Sequence, residues 1–396
     1  MSPLLLERSC AIAVFLMSLC VGCGNSSTSS PSEGGPSNLP EGPNVLAITI
    51  GGTGVCTTVV NSPCVSVTLC LPGTSQCQTI SDILLDTGSV GLRIFKSVLT
   101  LDLSSHIETD ANGNQIGECV IFGTGADWGP VATVGVVLAN EPAVVVPIQL
   151  IDATFAGQSA ASNPCGQPVD TAPGQARRNG LLGIDGFSSD NGSGVYFSCG
   201  SQGCVPLAQP PAFVKNPVAV LPIDNNGFVT LLPAVGSTGA ATLTGALILG
   251  IGTQPNNAPA AVSVFTRDPV TGTIATSYKG TTVPGFLDTG STFLFFPDAT
   301  IPVCHRITGA FCPSSSLNLS AVNRGVNQTV GTVNFHVANA VSLGNTGHAA
   351  FDNLGGPDIG LSGEFDWGLP FFLGRTVYTG MAGRNSVLGV GPFWAY

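Results

Sequence analysis

Charge is scarce in this chain. Only 9% of its 396 residues are Asp, Glu, Lys or Arg, against about 25% in an ordinary soluble domain. Basic residues are the scarcer kind, 12 against 23 acids. No basic cluster exceeds Arg177-Arg178, so neutralising a phosphate backbone is excluded as a main binding mode. No nucleic-acid partner is expected. Long apolar runs are missing at the N-terminus too: residues 11–22 form a 12-residue run after Arg8, too short to span a bilayer but of signal-peptide length. No Gly-x-Ser-x-Gly occurs and no His stands by motif beside a Ser or Cys, which leaves a Ser or Cys nucleophile without support. What is abundant is Gly (52), Pro (29) and apolar residues (43%). That is too apolar for a disordered chain, and the short apolar runs between turn residues predict many short strands and few helices.

Cysteine usage points outward. Setting aside Cys10, Cys20 and Cys23 leaves ten of the 13 cysteines, an even number that predicts five disulfides in an exported chain. Among those ten no Cys-x-x-Cys occurs, and no two His residues stand at ligand spacing, so neither a metal nor a cofactor is expected. Asp110-Ala111-Asn112-Gly113-Asn114 begins like a calcium loop but continues with Gln115 and Ile121 where Gly and Glu are needed, and reads as a hairpin turn. Gly123-Thr124-Gly125 and Gly250-Ile251-Gly252 open no helix of a nucleotide-binding unit. Asp127 reads as a turn residue and Trp128 as packed core.

One tetrapeptide occurs twice. Asp86-Thr87-Gly88-Ser89 and Asp288-Thr289-Gly290-Ser291 each follow an apolar run, about 200 positions apart. A duplication places each Asp at the end of a buried strand, facing a cleft between two lobes. Like charges about 3 Å apart cannot both ionise, so such a pair shares one proton. The ionised carboxylate can then take a proton from water while the protonated one polarises an amide carbonyl. Thr87 and Thr289 would tie the loops to each other's backbone, and Ser89 and Ser291 would hold their own Asp in plane.

The two motifs resemble those of the pepsin-like aspartic peptidases. Further segments are similar. Ile121-Phe122-Gly123-Thr124-Gly125, 36 residues after Asp86, looks like the tip of that family's flap hairpin. Gly180-Leu181-Leu182-Gly183-Ile184 looks like the segment behind the first aspartate, residues 245–250 like the strand ending the first lobe, and residues 367–390 like the closing segment. The resemblance implies an all-β, bilobal acid-protease fold with few short helices, and catalytic roles for Asp86 and Asp288 on a polypeptide substrate. Phe122, Gly123, Thr124, Gly125 and Arg93 would belong to the flap and substrate cleft.

Three departures stand out. Phe122 replaces the family's flap tyrosine, Arg93 replaces the tryptophan that tyrosine hydrogen-bonds, and Asp366-Trp367 replaces two aliphatics before Gly368. A stack of guanidinium on ring is one substitute for the lost hydrogen bond; Arg93 beside Asp86 would favour the ionised carboxylate. The absence of Lys or Arg between residues 8 and 93 also argues against a basic inhibitory prosegment.

Gly22-Cys23 followed by a Ser/Gly/Pro-rich stretch resembles a bacterial lipoprotein start. The expected layout is a signal peptide over 1–22, a tether over 23–45 lipidated at Cys23, a first lobe over 46–255 and a second over 256–396. The expectation is a monomeric aspartic endopeptidase of the cell envelope, touching the membrane only through its lipid. The alternative is a pepsin-like scaffold kept as a peptide- or glycan-binding lipoprotein.

Overall fold

The computed structural model describes residues 39–123, 125–190, 194–358 and 363–396. The expected signal peptide, Cys23 and Thr124 lie outside the described residues. The described residues include the end of the expected tether: Asn44 is fully buried, its Nδ2 donating to the Leu249 carbonyl at 2.8 Å.

The fold is all-β. Among the described residues the three α-helices have four or five residues each, Pro173–Ala176, Ala340–Gly344 and Leu369–Phe372. Strands arise where apolar residues alternate or run together between Gly and Pro breaks. Val45–Ile50 buries alternate residues, whereas Val90–Phe95 is buried throughout, as expected of a strand with one face open to solvent and one covered on both faces.

Two sheets carry the architecture. The larger has fifteen strands and the smaller, seven-stranded one lies within Ile274–Trp367. The larger takes strands from both sides of residue 255: Val45–Ile50 pairs with Leu243–Leu249, and Gly227–Leu231 pairs with Thr376–Gly380.

The same three-strand unit occurs in each sheet. Cys77–Asp86 runs parallel to Gly180–Ile184, which is antiparallel to Val90–Phe95. Thr281–Leu287 runs parallel to Phe365–Trp367, which is antiparallel to Leu294–Phe295. The closing segment therefore keeps its supporting pairing despite Asp366-Trp367. Each unit ends on its Asp-Thr-Gly-Ser loop.

One hydrophobic cluster joins both sheets, including Leu85, Leu182, Leu287, Phe365 and Trp367. In the second half it is aromatic: Phe296 stacks on Phe365 at 5.2 Å and Phe365 on Trp367 at 4.2 Å, a geometry that adds to the large area each ring buries.

All ten remaining cysteines pair, as Cys56–Cys64, Cys70–Cys77, Cys119–Cys165, Cys199–Cys204 and Cys304–Cys312. Cys119–Cys165 closes the longest loop, 46 residues, and on the chain-entropy model contributes about 4 kcal/mol. Five disulfides place the protein in an oxidising compartment outside the cytoplasm. Among the described residues no helix is long and apolar enough to cross a membrane.

Candidate active site

Each carboxylate is held by its own loop in the same way. The Gly88 amide donates to Asp86 Oδ1 at 2.8 Å and the Ser89 hydroxyl to Oδ2 at 2.5 Å. The Gly290 amide donates to Asp288 Oδ1 at 2.7 Å and Ser291 to Oδ2 at 2.9 Å. The local reason is the turn: a strand that stops at Asp leaves the amide two residues on free to fold back onto its side chain.

The threonines then cross between loops. Thr87 Oγ1 donates to the Leu287 carbonyl and accepts from the Thr289 amide at 3.0 Å. Thr289 Oγ1 donates to the Leu85 carbonyl and accepts from the Thr87 amide at 3.1 Å. Both threonines are buried, so every one of these backbone groups would be unsatisfied without its partner loop. The loops consequently fix each other's position.

Glycine sets how close the carboxyl groups come. A Cβ on Gly88 would lie 2.5 Å from Asp288 Cγ, and one on Gly290 would lie 2.9 Å from Asp86 Oδ1 and 3.1 Å from Asp288 Oδ1. Any side chain there would push the opposite aspartate away. Asp86 is 5% exposed and Asp288 half-buried. Burial, then the charge of Asp86, then that of Asp366, pushes the Asp288 carboxyl well above the ordinary carboxylate range; a hydrogen bond to Asp86 adds to the rise. Two carboxyl groups brought this close favour holding one proton between them. With the grip of the loops and the repeated strand unit, the chain has the pepsin-like all-β fold.

The hairpin of Gln115–Phe122 and Gly125–Val137 ends at Phe122 and Gly125, which pair across it. Gly123 lies at its tip, exposed. Arg93 is not beside Asp86. It is wholly buried and its guanidinium donates to Glu118 at 2.8 Å, Asp190 at 3.2 Å and the Val90 carbonyl at 2.7 Å. Glu118 lies on the hairpin strand, so Arg93 anchors the hairpin from beneath instead of lining an open cleft. Burial would weaken the hold of Arg93 on its proton, but Glu118 and Asp190 more than offset this. The guanidinium carbon also stands 6.0 Å from the Phe122 ring centre, and that of Arg178 stands 5.8 Å away, at the outer limit of a cation–π contact.

Sequence reasoning missed Glu118, Asp190 and Arg178. Arg178 donates to Asp127 at 3.2 Å and Asp170 at 3.0 Å, so Asp127 is a buried strand residue in an ion pair, not a turn residue. The available signal was charge inside apolar strands, which burial tolerates only when paired. Trp128 is packed core, against Phe155 and Phe197. Asp110 caps its own turn through the Asn112 and Asn114 amides and accepts from Ser198, which lowers its carboxyl to about 2.

Residues 40–396 match the family model "Protein of unknown function (DUF3443)". The chain belongs to this family. No curated protein matches this DUF3443 member. Among solved structures it is similar to the aspartic proteinase from Irpex lacteus, with TM-score 0.46 and 16% identity over 89% of this chain and 96% of that one.

Proposed function

We propose that this DUF3443 protein is an aspartic endopeptidase that hydrolyses peptide bonds with water activated between Asp86 and Asp288. The observation that carries the reading is the mutual grip of the two loops, which brings two carboxyl groups together while Gly88 and Gly290 leave no Cβ between them. Asp288, whose carboxyl burial pushes well above the ordinary range, holds the shared proton and polarises the scissile carbonyl. Asp86 takes a proton from the attacking water, so no covalent intermediate forms. The Phe122 hairpin covers a polypeptide substrate, with Gly123 and Gly125 at its tip. A division into lobes over 46–255 and 256–396, a monomeric state and a lipid on Cys23 complete the reading.

The test is digestion of an unfolded protein between pH 3 and 7 by the parent, Asp86→Asn and Asp288→Asn. Turnover should fall by about 100- to 10,000-fold in either variant, and parent activity should decline as rising pH removes the shared proton. Undiminished digestion by either variant would refute the mechanism. The hairpin supports a second reading: Phe122 has no hydroxyl to reach a substrate, as expected of a scaffold that binds peptide or glycan without cutting it. Tight peptide binding by the Asp86→Asn/Asp288→Asn protein, with no turnover by the parent, would favour it.

A further inference from the structure

Two buried ion clusters hold the hairpin, one for each of its strands. Glu118 belongs to Gln115–Phe122 and Asp127 to Gly125–Val137, and the Gln149 side-chain amide joins their backbone carbonyls, donating at 2.8 and 3.3 Å. Each of these acids meets a second acid on a single guanidinium nitrogen. Arg93 Nη2 donates to Glu118 Oε1 and to Asp190 Oδ2, and Arg178 Nη2 donates to Asp127 and to Asp170 Oδ2. Fully ionised, each cluster would hold two anions and one cation.

The clusters differ in their access to water. The side chains of Arg93, Glu118 and Asp190 are wholly buried, whereas Arg178 is 9% and Asp170 13% exposed. Tyr196, the register partner of Glu118 on the next strand, donates its hydroxyl to Asp190 Oδ1 at 2.7 Å. Lys215, which bridges to Ser189, forms no ion pair among the described residues. Glu118 Oε2 is buried with no hydrogen-bond partner. A Cβ on Gly194 would lie 2.5 Å from Glu118 Oε1 and 2.7 Å from Asp190 Oδ2, so these two oxygens converge on one point as well as on one nitrogen. Like charges so placed, out of water and with a single cation between them, favour retention of one proton. Glu118 is the member that keeps it, because Asp190 has the Tyr196 hydroxyl to support an anion. Burial pushes the Glu118 carboxyl well above the ordinary range; Asp190 adds to the rise, and Arg93 offsets only part of it.

We propose that the hairpin is a pH-sensitive cover, seated while Glu118 is protonated and loosened when that carboxyl ionises and leaves a net negative charge sealed beneath it. With the hairpin lifted, Glu118 meets water and titrates near the ordinary value of about 4.3. The seated form therefore binds a proton that the lifted form releases. Each pH unit above about 5 favours lifting by up to about tenfold, until the seated carboxyl itself ionises. The seating rests on the ion clusters alone; that the hairpin covers a substrate rests on the proposed peptidase reading.

Hydrogen exchange of the full protein between pH 5 and 8, corrected for the intrinsic rate, tests the seating directly. In the parent, protection of Gln115–Phe122 relative to Val45–Ile50 should fall at least about tenfold over that range. Glu118→Gln puts a neutral amide of the same shape under the hairpin, and its relative protection should be level with pH. Asp170→Asn alters the wetter cluster and should keep the parent's slope. A parent hairpin whose relative protection ignores pH would overturn the inference, and so would a Glu118→Gln slope equal to the parent's or a slope abolished by Asp170→Asn. Failure of Glu118→Gln to fold would overturn it too, since a neutral side chain is what the proposal places there. Digestion of an unfolded protein separates this from the peptidase reading: KM should rise with pH in the parent and stay level in Glu118→Gln. Absence of turnover in both would count against the peptidase reading, while the exchange result decides the seating.

Discussion

Arg93 and Phe295 occupy matching places, each seven residues after its aspartate, and so do Leu181 and Asp366, their register partners. In the first unit the cation is on the strand after the motif and the apolar residue is behind it. In the second the aromatic follows the motif and the acid is behind it. Glycines repeat the correspondence: a Cβ on Gly183 would meet the Gly91 carbonyl at 2.9 Å, and one on Gly368 the Phe293 carbonyl at 2.0 Å. The duplication is thus strict where backbone passes close to backbone and relaxed where side chains meet. The first unit spends its buried charge on the hairpin, through Arg93, Glu118 and Asp190. The second directs its buried carboxyl at the pair itself.

That contrast can be broken most forcefully at the matched positions. Arg93→Leu leaves Glu118 and Asp190 without their cation and should lower the unfolding free energy by about 3–5 kcal/mol. Phe295→Leu should cost about 1 kcal/mol, since Phe295 is only half-buried and the change removes little buried apolar area. Urea unfolding of both measures the difference, and equal costs would show the two positions to be energetically alike.

Thr87→Val and Thr289→Val probe the shared part. Each removes a hydroxyl that serves one carbonyl and one amide of the other loop, so each should destabilise by about 2–4 kcal/mol. The two values should agree within about 0.5 kcal/mol; a larger gap would mean that one loop holds and the other is held.

Stability against pH sharpens the comparison at Asp366. Its folded carboxyl titrates well above the ordinary 3.8, so above pH 4 the folded state binds a proton that the unfolded state releases, and stability falls as pH rises. Asp366→Asn removes this slope. Its Tm should exceed the parent's at pH 7.5 and match it near pH 4, whereas Leu181→Ile should shift Tm equally at both. Asp298 has the opposite sign: Lys279 and Thr300 hold it at about 2 despite its burial, so its contribution disappears as pH falls from about 4 toward 2.

The smallest effect is expected at the hairpin tip. Phe122→Leu removes a ring flanked by the Arg93 and Arg178 guanidinium groups and should cost about 0.5–1 kcal/mol. If the proposed peptidase reading holds, KM should rise more than kcat falls.

Much of this was legible from residue order. The all-β class followed from short apolar runs between Gly and Pro, and five disulfides followed from ten cysteines. Asp86 and Asp288 were found because an identical tetrapeptide recurs, and the crossing threonines because a small hydroxylated residue follows each Asp. Local signals of this kind survive in sequence because the interacting atoms lie within a few bonds of the motif. Arg93 was read with the flap, stacked on the Phe122 ring or beside Asp86, and its ion pairs were not foreseen. Its partners Glu118 and Asp190 are 25 and 97 residues away, and no local pattern ties them together. Asp127 was misread for the same reason, its cation lying 51 residues on.

By itself, the sequence determined that the chain folds as strands, that it carries paired cysteines and that two equal loops each present one aspartate. Backbone propensity, turn chemistry and repetition act over a few residues, so they can be read in order along the chain. Only the tertiary structure decided that the loops grip each other, that Arg93 belongs to the hairpin and that a third carboxyl stands behind Asp288. Those outcomes depend on which side chains lose water together. Desolvation turns an unremarkable Asp in residues 365–372 into a group that must find a proton or a partner.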